Sequence, residues 1–304
     1  MKNKLIIRMS NNLGNQMFMY ASAYAFAKKL GRDLLIDDET AYQDQRNIYR
    51  YDLDIFNVKS KKASMDNKFL GKSGYLKRKT LKFLDKFNKS KNFYVEPKDK
   101  NKNTVYYPNA MTGNFKNTLY IEGHFETEKY FKDCEENIKK EFTLKSVNSF
   151  KNTQIYKDIN NSNSVSICVR QNRFSERKRA ITKKDDENSF IFTHDQIEYI
   201  KKAINVIKSK IQNPKFFLWS NDYKNLDKFF PVNEYVHVSS GSIHSDLYLM
   251  SQAKHFVVIP SSYNWWGAWL RDKKTGLILR PLDNNFRNFS PNNKDFWPNN
   301  WTAL

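Results

Sequence analysis

Residues 4–20 read KLIIRMSNNLGNQMFMY, and this stretch decides the fold class. The apolar run at residues 4–9 is typical of a short buried strand, and the apolar-rich pattern over residues 17–30 predicts a helix. Gly31 follows the last periodic position, where a helix C-cap is expected. Residues 34–37 then form the next apolar run. This order of strand, polar turn, helix and strand predicts the opening of an α/β sheet.

Further along the first half, a strand is predicted at residues 119–123 and a helix at 128–142. The alternation of strands and helices restarts after a stretch of low hydrophobicity around residue 160. There, strands are predicted at residues 165–170, 215–220, 236–238, 255–260 and 277–280, and helices at 195–210, 223–230, 245–253 and from 265. We therefore predict an α/β protein with two Rossmann-like domains, residues 1–158 and 159–304, with ligands held at the carboxyl ends of the strands. The C-terminal tail is expected to pack back on the N-terminal domain.

Composition restricts the class of protein further. The 304 residues carry a net charge of +20, yet 39% are hydrophobic and 15% aromatic, which favours a globular chain over a disordered one. The only cysteines, Cys134 and Cys168, exclude a disulfide scaffold and fit a reducing compartment. No run approaches the roughly 18 apolar residues of a membrane span, and the first ten residues lack a secretory signal. We expect a soluble, cytoplasmic protein.

The basic excess is concentrated between residues 59 and 102, where fifteen Lys or Arg face four Asp or Glu. Within it a basic amphipathic helix is predicted over residues 76–87. Its apolar positions are Leu76, Thr80, Phe83, Leu84 and Phe87. Such a helix either contacts anionic lipid at the inner face of a membrane or packs on its own domain with a solvated charged face. A nucleic-acid partner is not expected, because no zinc-finger, single-strand platform or recognition-helix pattern accompanies the charge.

Three polar turns at predicted strand ends are candidates for chemistry. The first, residues 11–16, contains Gly14, which permits close backbone approach, and the amides Asn15 and Gln16. It precedes a helix N-terminus, which is a ready anion site, but ordinary helix capping by asparagine explains it equally well.

The second turn follows the strand that ends at Arg170, whose guanidinium can fork onto a phosphate. A polar loop with Arg177, Lys183 and Lys184 comes after it, and a solvated basic loop is the better interpretation there. Cys168 precedes Arg170 on the same strand face. It is expected to be a small buried residue, since no histidine beside it in sequence suits a nucleophile.

The third turn, Ser261-Ser262-Tyr263, offers hydroxyls and backbone N–H groups to phosphate or sugar oxygens. The alternative is a helix cap followed by a tryptophan pair in the core. A similar turn contains Ser220 and Asp222, whose carboxylate can accept from a base edge or a ribose, or cap a helix. Together the turns point to a nucleotide or sugar-nucleotide enzyme.

Segments along nearly the whole chain carry a more specific signal. They are residues 13–21 (LGNQMFMYA), 50–56 (RYDLDIF), 123–131 (GHFETEKYF), 217–222 (FLWSND), 246–251 (DLYLMS), 261–270 (SSYNWWGAWL) and 297–301 (WPNNW). In this order they resemble the motifs of family 11 glycosyltransferases, the bacterial-type α-1,2-fucosyltransferases.

The resemblance implies a GT-B fold, with two Rossmann-like domains facing across a cleft and the GDP-sugar donor on the C-terminal one. It implies transfer of L-fucose from GDP-fucose to the 2-hydroxyl of a galactoside with inversion, without a metal or other cofactor. The residues it assigns to the donor are Gly14, Gln16, Arg170, Ser220, Asp222, Ser261, Ser262 and Tyr263. Arg170 and Asn15 are the expected catalytic residues, and His124, Glu126 and Trp265 are candidates for the acceptor.

The chain departs from the family pattern at two of these turns. Asn11-Asn12 stand where the family usually has Gly-Gly, and Cys168 and Arg173 replace the His and Asp that flank the key arginine. The general base is left open among Glu126, Glu122 and Asp37. Two other functions therefore remain: a transferase of the same fold that uses another GDP-sugar or acceptor, and a degenerate homologue that binds a glycan or a membrane surface.

Overall fold

The computed structural model describes residues 3–43, 48–97, 105–176, 178, 180–271, 275–288 and 294–304. The chain divides into two compact units, Met1–Thr143 and Leu144–Leu304. The division falls before the predicted boundary at residue 158, because the helical segment after residue 147 packs within the second unit. There Tyr156 stacks on Tyr248, with ring centroids 6.3 Å apart. Arg177 of the predicted basic loop lies outside the described residues.

The first unit is built on a parallel sheet with strand order β3-β2-β1-β5-β4. Its elements are β1 (Lys4–Arg8), α1 (Leu13–Leu30), β2 (Asp33–Asp37), β3 (Lys61–Lys62), α2 (Gly71–Leu84), β4 (Lys91–Val95), β5 (Phe115–Glu122) and α3 (Glu135–Glu141). The opening strand, helix and strand are confirmed, and Gly31 ends α1 with a φ of 60° as the C-cap prediction requires. The carboxyl ends of β2, β1 and β5 meet at one edge of this sheet.

The predicted helix over residues 128–142 is interrupted. Two 3₁₀ turns, Glu128–Tyr130 and Lys132–Cys134, precede α3. Between them Phe131 leaves the helical region with a φ of −130° and is fully buried. Burial of this ring in the core therefore outweighs continuous helical hydrogen bonding.

The basic helix α2 also differs from the prediction. It begins at Gly71 rather than at residue 76, and its apolar positions Leu76, Phe83, Leu84 and Phe87 are exposed. The helix contacts its own unit through Leu81, which packs on a cluster with Phe69, Phe93 and Tyr120 at its centre. Of the two alternatives stated for this helix, the structure shows packing on its own domain. The face that packs is the one opposite to the apolar stripe.

The second unit contains a parallel sheet with strand order β11-β10-β9-β6-β7-β8. Its elements are α4 (Asn148–Lys151), α5 (Gln154–Asn160), β6 (Asn163–Val169), α6 (Lys183–Lys210), β7 (Pro214–Ser220), β8 (Tyr235–Val238), α7 (Ile243–Ser251), β9 (His255–Val257), α8 (Ser262–Trp269), β10 (Ile278–Arg280) and β11 (Thr302–Ala303). The carboxyl ends of β9, β6 and β7 are neighbours at one edge.

Two segments of the second unit differ from the secondary structure that the sequence predicts. Helix α6 begins at Lys183, twelve residues before the predicted start, because Thr182 and Asp185 form a capping box. Residues 223–230 form turns rather than a helix. The C-terminal tail has its strand partner in this unit, where β11 pairs with β10. Among the described residues, no helix combines the length and the apolar character needed to cross a membrane.

Candidate active site

The three polar turns of the second unit lie at the same sheet edge. Arg170 follows β6, Ser220 ends β7, and Ser261 follows β9. Side chains link the turns directly: Arg173 Nη1 donates to the carbonyl oxygen of Pro260 at 3.0 Å, and Asn172 Nδ2 donates to Asp222 Oδ2 at 3.4 Å. The parallel sheet therefore brings together the predicted donor-site residues of this unit.

Arg170 is held at both its backbone and its side chain. Gln196, fully buried on α6, accepts from Arg170 N and donates to Arg170 O, each at 2.9 Å. The half-buried guanidinium pairs with the Glu176 carboxylate. Next to it on β6, Cys168 is buried, and burial raises the pKa of its thiol to about 12. Cys168 is therefore a packing residue, as predicted, and Arg170 is the group that can meet an anion.

Ser220 and Asp222 form a closed turn at the end of β7. Ser220 Oγ donates to the Asp222 carbonyl oxygen at 2.6 Å, and Lys224 N donates to Asp222 Oδ1 at 2.9 Å. Gln171 holds the turn against the end of β6, donating from Nε2 to the same carbonyl at 2.7 Å. The half-buried Asp222 carboxylate is thus oriented at the sheet edge by its own backbone, which suits an acceptor for N–H or O–H groups.

Ser261, Ser262 and Tyr263 form the entry to α8. Ser261 is buried at the N-cap position, Ser262 begins the helix, and the half-buried Tyr263 hydroxyl donates to the Ile243 carbonyl oxygen at 2.5 Å. Asn264 is fully buried and accepts from Ile259 N, which fixes the strand end against the helix. The turn presents the first N–H groups of α8 at the edge that Arg170 occupies.

Trp265 is placed in the core rather than at a surface. It has no exposed area, its Nε1 donates to the Phe296 carbonyl oxygen at 2.9 Å, and its ring packs on Trp266, Trp269 and Trp301. A side chain so enclosed offers nothing to an acceptor. Trp265 and Trp266 lie in the core, as expected if this turn is a helix cap followed by a buried tryptophan pair.

In the first unit, the turns after β1 and β5 are joined by two hydrogen bonds. Asn15 Nδ2 donates to Glu126 Oε1 at 2.6 Å, and Asn11 Nδ2 lies 2.8 Å from His124 Nε2. Asn15, His124 and Glu126 are half-buried. The structure thus brings together the predicted catalytic amide and both acceptor candidates of this unit.

Gln16 and Gly14 have a supporting role at this edge. Gln16 is fully buried, donates to the carbonyl oxygens of Asn11 and Arg50, and accepts from Asp52 N. Gly14 is buried in the first turn of α1. These hydrogen bonds lock the turn to the 50–52 segment, so Gln16 shapes the site without reaching its surface.

Two asparagines in these turns have a left-handed backbone. Asn11 stands in the usual Gly-Gly position and adopts a φ of 59°, while Asn172, between Arg170 and Arg173, adopts 56°. This left-handed region favours glycine, and asparagine is the side chain that tolerates it best. At each position the side-chain amide contacts a neighbouring residue of the site, His124 for Asn11 and Asp222 for Asn172.

The three candidates for the general base differ sharply in environment. Burial alone raises the pKa of Glu122, but hydrogen bonds from Arg78 and Lys82 and the charge of Arg8 outweigh it and lower the pKa to about 2. Burial raises the pKa of Asp37, whose Oδ1 accepts from the backbone N–H groups of residues 39 and 40. Glu126 is half-buried, and its Oε1 accepts a hydrogen bond from Asn15 Nδ2 at 2.6 Å.

Several residues that shape the site give no usable signal in the sequence. Gln196 and Gln171 act on groups that are distant in the sequence and close only in the folded sheet. Arg173 stacks on Phe192, 4.9 Å from its ring centroid, while it bonds the Pro260 carbonyl oxygen. Arg173 stands where the family has an acid, and here it ties the loop after β6 to the turn after β9. The capping box at Thr182, by contrast, was visible as Thr-x-x-Asp.

The two α/β units, each built on a parallel sheet, have a fold of the GT-B type. The sequence profile of glycosyl transferase family 11 matches residues 1–304, and the chain belongs to this family. It is 26% identical over 308 residues to an Escherichia coli alpha-1,2-colitosyltransferase, a match that covers 99% of this chain and 98% of the relative. It is 27% identical over 317 residues to the E. coli O-antigen biosynthesis glycosyltransferase WbnK, covering 96% and 98%.

A solved structure has a similar fold. A mutant of Arabidopsis thaliana FUT1 in complex with GDP superposes with a TM-score of 0.51 at 11% identity, covering 97% of this chain and 72% of that chain. At this identity the likeness concerns the fold alone.

Proposed function

We propose that this family 11 glycosyltransferase moves L-fucose from GDP-fucose to the 2-hydroxyl of a galactoside, with inversion and without a metal or other cofactor. The observation that carries the proposal is the match to the family over the whole chain, together with the family motifs at both sheet edges. A relative named as an α-1,2-transferase favours the 2-hydroxyl as acceptor.

The second unit supplies the donor residues in this proposal. Arg170 meets the diphosphate and the first N–H groups of α8, with Ser261, Ser262 and Tyr263, meet the phosphates and fucose. Asp222, held by Ser220, accepts from the guanosine. Electrostatic groups fixed in advance stabilise the charge that develops on the departing diphosphate without reorganising during the reaction. The ion pair with Glu176 and the clamp by Gln196 give Arg170 that fixed position.

The first unit supplies the base. Glu126 takes the proton of the acceptor hydroxyl as its oxygen attacks C1 of fucose, while the bond from C1 to the β-phosphate oxygen breaks and GDP departs. Asn15 orients the Glu126 carboxylate through its 2.6 Å hydrogen bond, and His124 lies beside them as an acceptor contact. Glu122 is unsuited to this role, because a carboxyl with a pKa of about 2 is a weak base.

A second donor has specific support. The α-1,2-colitosyltransferase relative makes GDP-colitose a candidate, and colitose differs from L-fucose by the absence of one hydroxyl group. Arg173, which stands where the family has an acid, lies at the donor edge and bonds the Pro260 carbonyl oxygen next to Ser261, where a difference in the sugar would be sensed.

The first test is calorimetric titration of GDP-fucose, GDP-colitose, GDP-mannose and GDP into the purified chain with a chelator present. Selective binding of GDP-fucose supports the proposal, and selective binding of GDP-colitose replaces the donor. Binding of none of the four contradicts a GDP-sugar enzyme and favours a degenerate glycan or surface binder.

The second test compares variants in a transfer assay. We expect Arg170→Ala to nearly abolish transfer while the fold is retained. Glu126→Gln should lower kcat by roughly 10²–10⁴-fold with donor affinity unchanged, as removal of a general base does. Glu136→Gln is the matched control, because Glu136 is an exposed carboxyl on α3 of the same unit. Equal losses from Glu126→Gln and Glu136→Gln would contradict the assignment of the base.

A further inference from the structure

Helix α2 presents an unusual face to solvent. Leu76 is 65% exposed, Phe83 57% and Phe87, just after the helix, 74%. These side chains are large and apolar, and a helix packed on a sheet normally turns such residues inward. Tyr75 and Leu84 are also exposed, at 53% and 44%.

The inward face of α2 is polar, which explains this orientation. Arg78 donates from Nε and Nη2 to the buried Glu122 carboxylate, and Lys82 Nζ donates to the same group at 2.7 Å. Gly74 lies against the Phe69 backbone, where a Cβ would come within 2.4 Å. Two cations and a glycine therefore occupy the positions that a buried apolar stripe would take.

Along the exposed face, lysines alternate with large apolar side chains. Lys72, Leu76, Lys79, Phe83 and Lys86 follow one another at spacings of four and three, and all five are exposed. That spacing keeps the first four on one stripe of the helix, and Lys86 follows in the turn just after the helix ends. Two lysines lie over neighbouring rings, Lys79 over Tyr75 at 4.6 Å and Lys86 over Phe83 at 5.9 Å.

We propose that this face, formed by Lys72, Leu76, Lys79, Phe83, Lys86 and Phe87, docks on the surface of an anionic lipid bilayer. Apolar side chains of this kind enter the boundary between headgroups and acyl chains while the lysines meet lipid phosphates. A second copy of the chain fits the face less well, because self-association would place its lysines against one another. The surrounding residues 59–102 carry fifteen basic against four acidic side chains, which favours an extended anionic partner.

The test is co-sedimentation of the full chain with vesicles of phosphatidylcholine alone or mixed in equal parts with phosphatidylglycerol. One variant carries Leu76→Ser, Phe83→Ser and Phe87→Ser, and another carries Lys72→Gln, Lys79→Gln and Lys86→Gln. The matched controls are Phe190→Ser with Val232→Ser, and Lys183→Gln with Lys202→Gln and Lys210→Gln, all exposed positions of the second unit.

We expect binding to the anionic vesicles only, weakened by salt. The lysine variant should lose about a hundredfold in partition coefficient, since each lysine near such a surface contributes about a factor of five. The apolar variant should lose at least roughly tenfold. The controls should bind like the parent, and transfer to a soluble oligosaccharide should be unchanged in all variants.

Three outcomes would overturn the proposal. The first is absence of binding to anionic vesicles, and the second is an equal loss of binding in the control variants. The third is a dimer of the parent chain in analytical ultracentrifugation together with a monomeric apolar variant. The last would assign the face to a second copy. The lipid assay needs neither donor nor acceptor, so its result is independent of the proposed transferase activity.

Discussion

Glu122 anchors α2 to the first sheet, and its neutralisation is the perturbation we develop first. Its carboxylate is 7% exposed and meets Arg78 at 2.5 Å, Lys82 at 2.7 Å and Arg8 at 3.5 Å. Lowering the pKa of this carboxyl from 4.5 to about 2 stabilises the folded chain by about 3 kcal/mol at neutral pH. We expect Glu122→Gln to remove that contribution and leave three cations without their counter-charge.

The sign of the pH dependence follows from the direction of the pKa change. The folded-state pKa is below the unfolded value, so the stabilisation is fully present above about pH 5 and is lost as the pH falls toward 2. At pH 3, about 2 kcal/mol of it is already lost. The difference in unfolding free energy between the parent and Glu122→Gln should therefore shrink from about 3 kcal/mol at pH 7 to about 1 kcal/mol at pH 3.

The assay must report on the first unit alone. All six tryptophans lie in the second unit, so tryptophan fluorescence would follow the wrong part of the chain. Cys134 is buried in the first unit and Cys168 in the second. Labelling both with a dipyridyl disulfide, which reacts at acidic and neutral pH, and resolving the two peptides by mass gives the urea midpoint of each unit.

The midpoint of Cys134 should fall in the variant while that of Cys168 stays unchanged. A difference below about 1 kcal/mol at pH 7, or one of the same size at pH 3, would refute the argument that the ion cluster holds this unit together.

Three other substitutions or treatments probe the second unit. Cys168 should stay unlabelled by alkylating reagents in the native chain at pH 8, because burial raises its pKa to about 12; reaction at the rate of a free thiol would contradict this. Arg173→Ala should raise the donor KM several-fold through the lost bond to Pro260, and unchanged kinetics would show that the link is dispensable. Trp265→Phe should lower the unfolding free energy by about 1–3 kcal/mol, measured by urea denaturation, because the Phe296 carbonyl oxygen loses its donor; no loss would argue against that bond.

The sequence was sufficient where local pattern and global fold agree. The strand, turn and helix of residues 4–30 follow from periodicity and from Gly31, and the position of Arg170, Ser220 and Ser261 at strand ends follows from parallel topology. The family motifs identified the family over the full length.

The sequence misled where long-range contacts decide the outcome. The stripe of α2 left open whether its apolar face packs inward or contacts lipid, and the structure turns it outward because Glu122, forty or more residues away in the chain, draws Arg78 and Lys82 inward. The helix predicted at residues 128–142 breaks because Phe131 is buried in the core. The roles of Gln196 and Arg173 depend on strand neighbours that periodicity alone does not reveal.

The left-handed asparagines at residues 11 and 172 have a consequence for which substitutions the two sheet edges accept. At each position the backbone restricts exchange to glycine and a very few other residues, so the loop can gain or lose one amide without moving the strands it joins. In the proposed reaction Asn11 adjoins His124, an acceptor contact, and Asn172 adjoins Asp222, which meets the guanosine. Exchange of either asparagine for glycine would therefore keep the backbone of the loop and remove one hydrogen-bonding group beside a substrate.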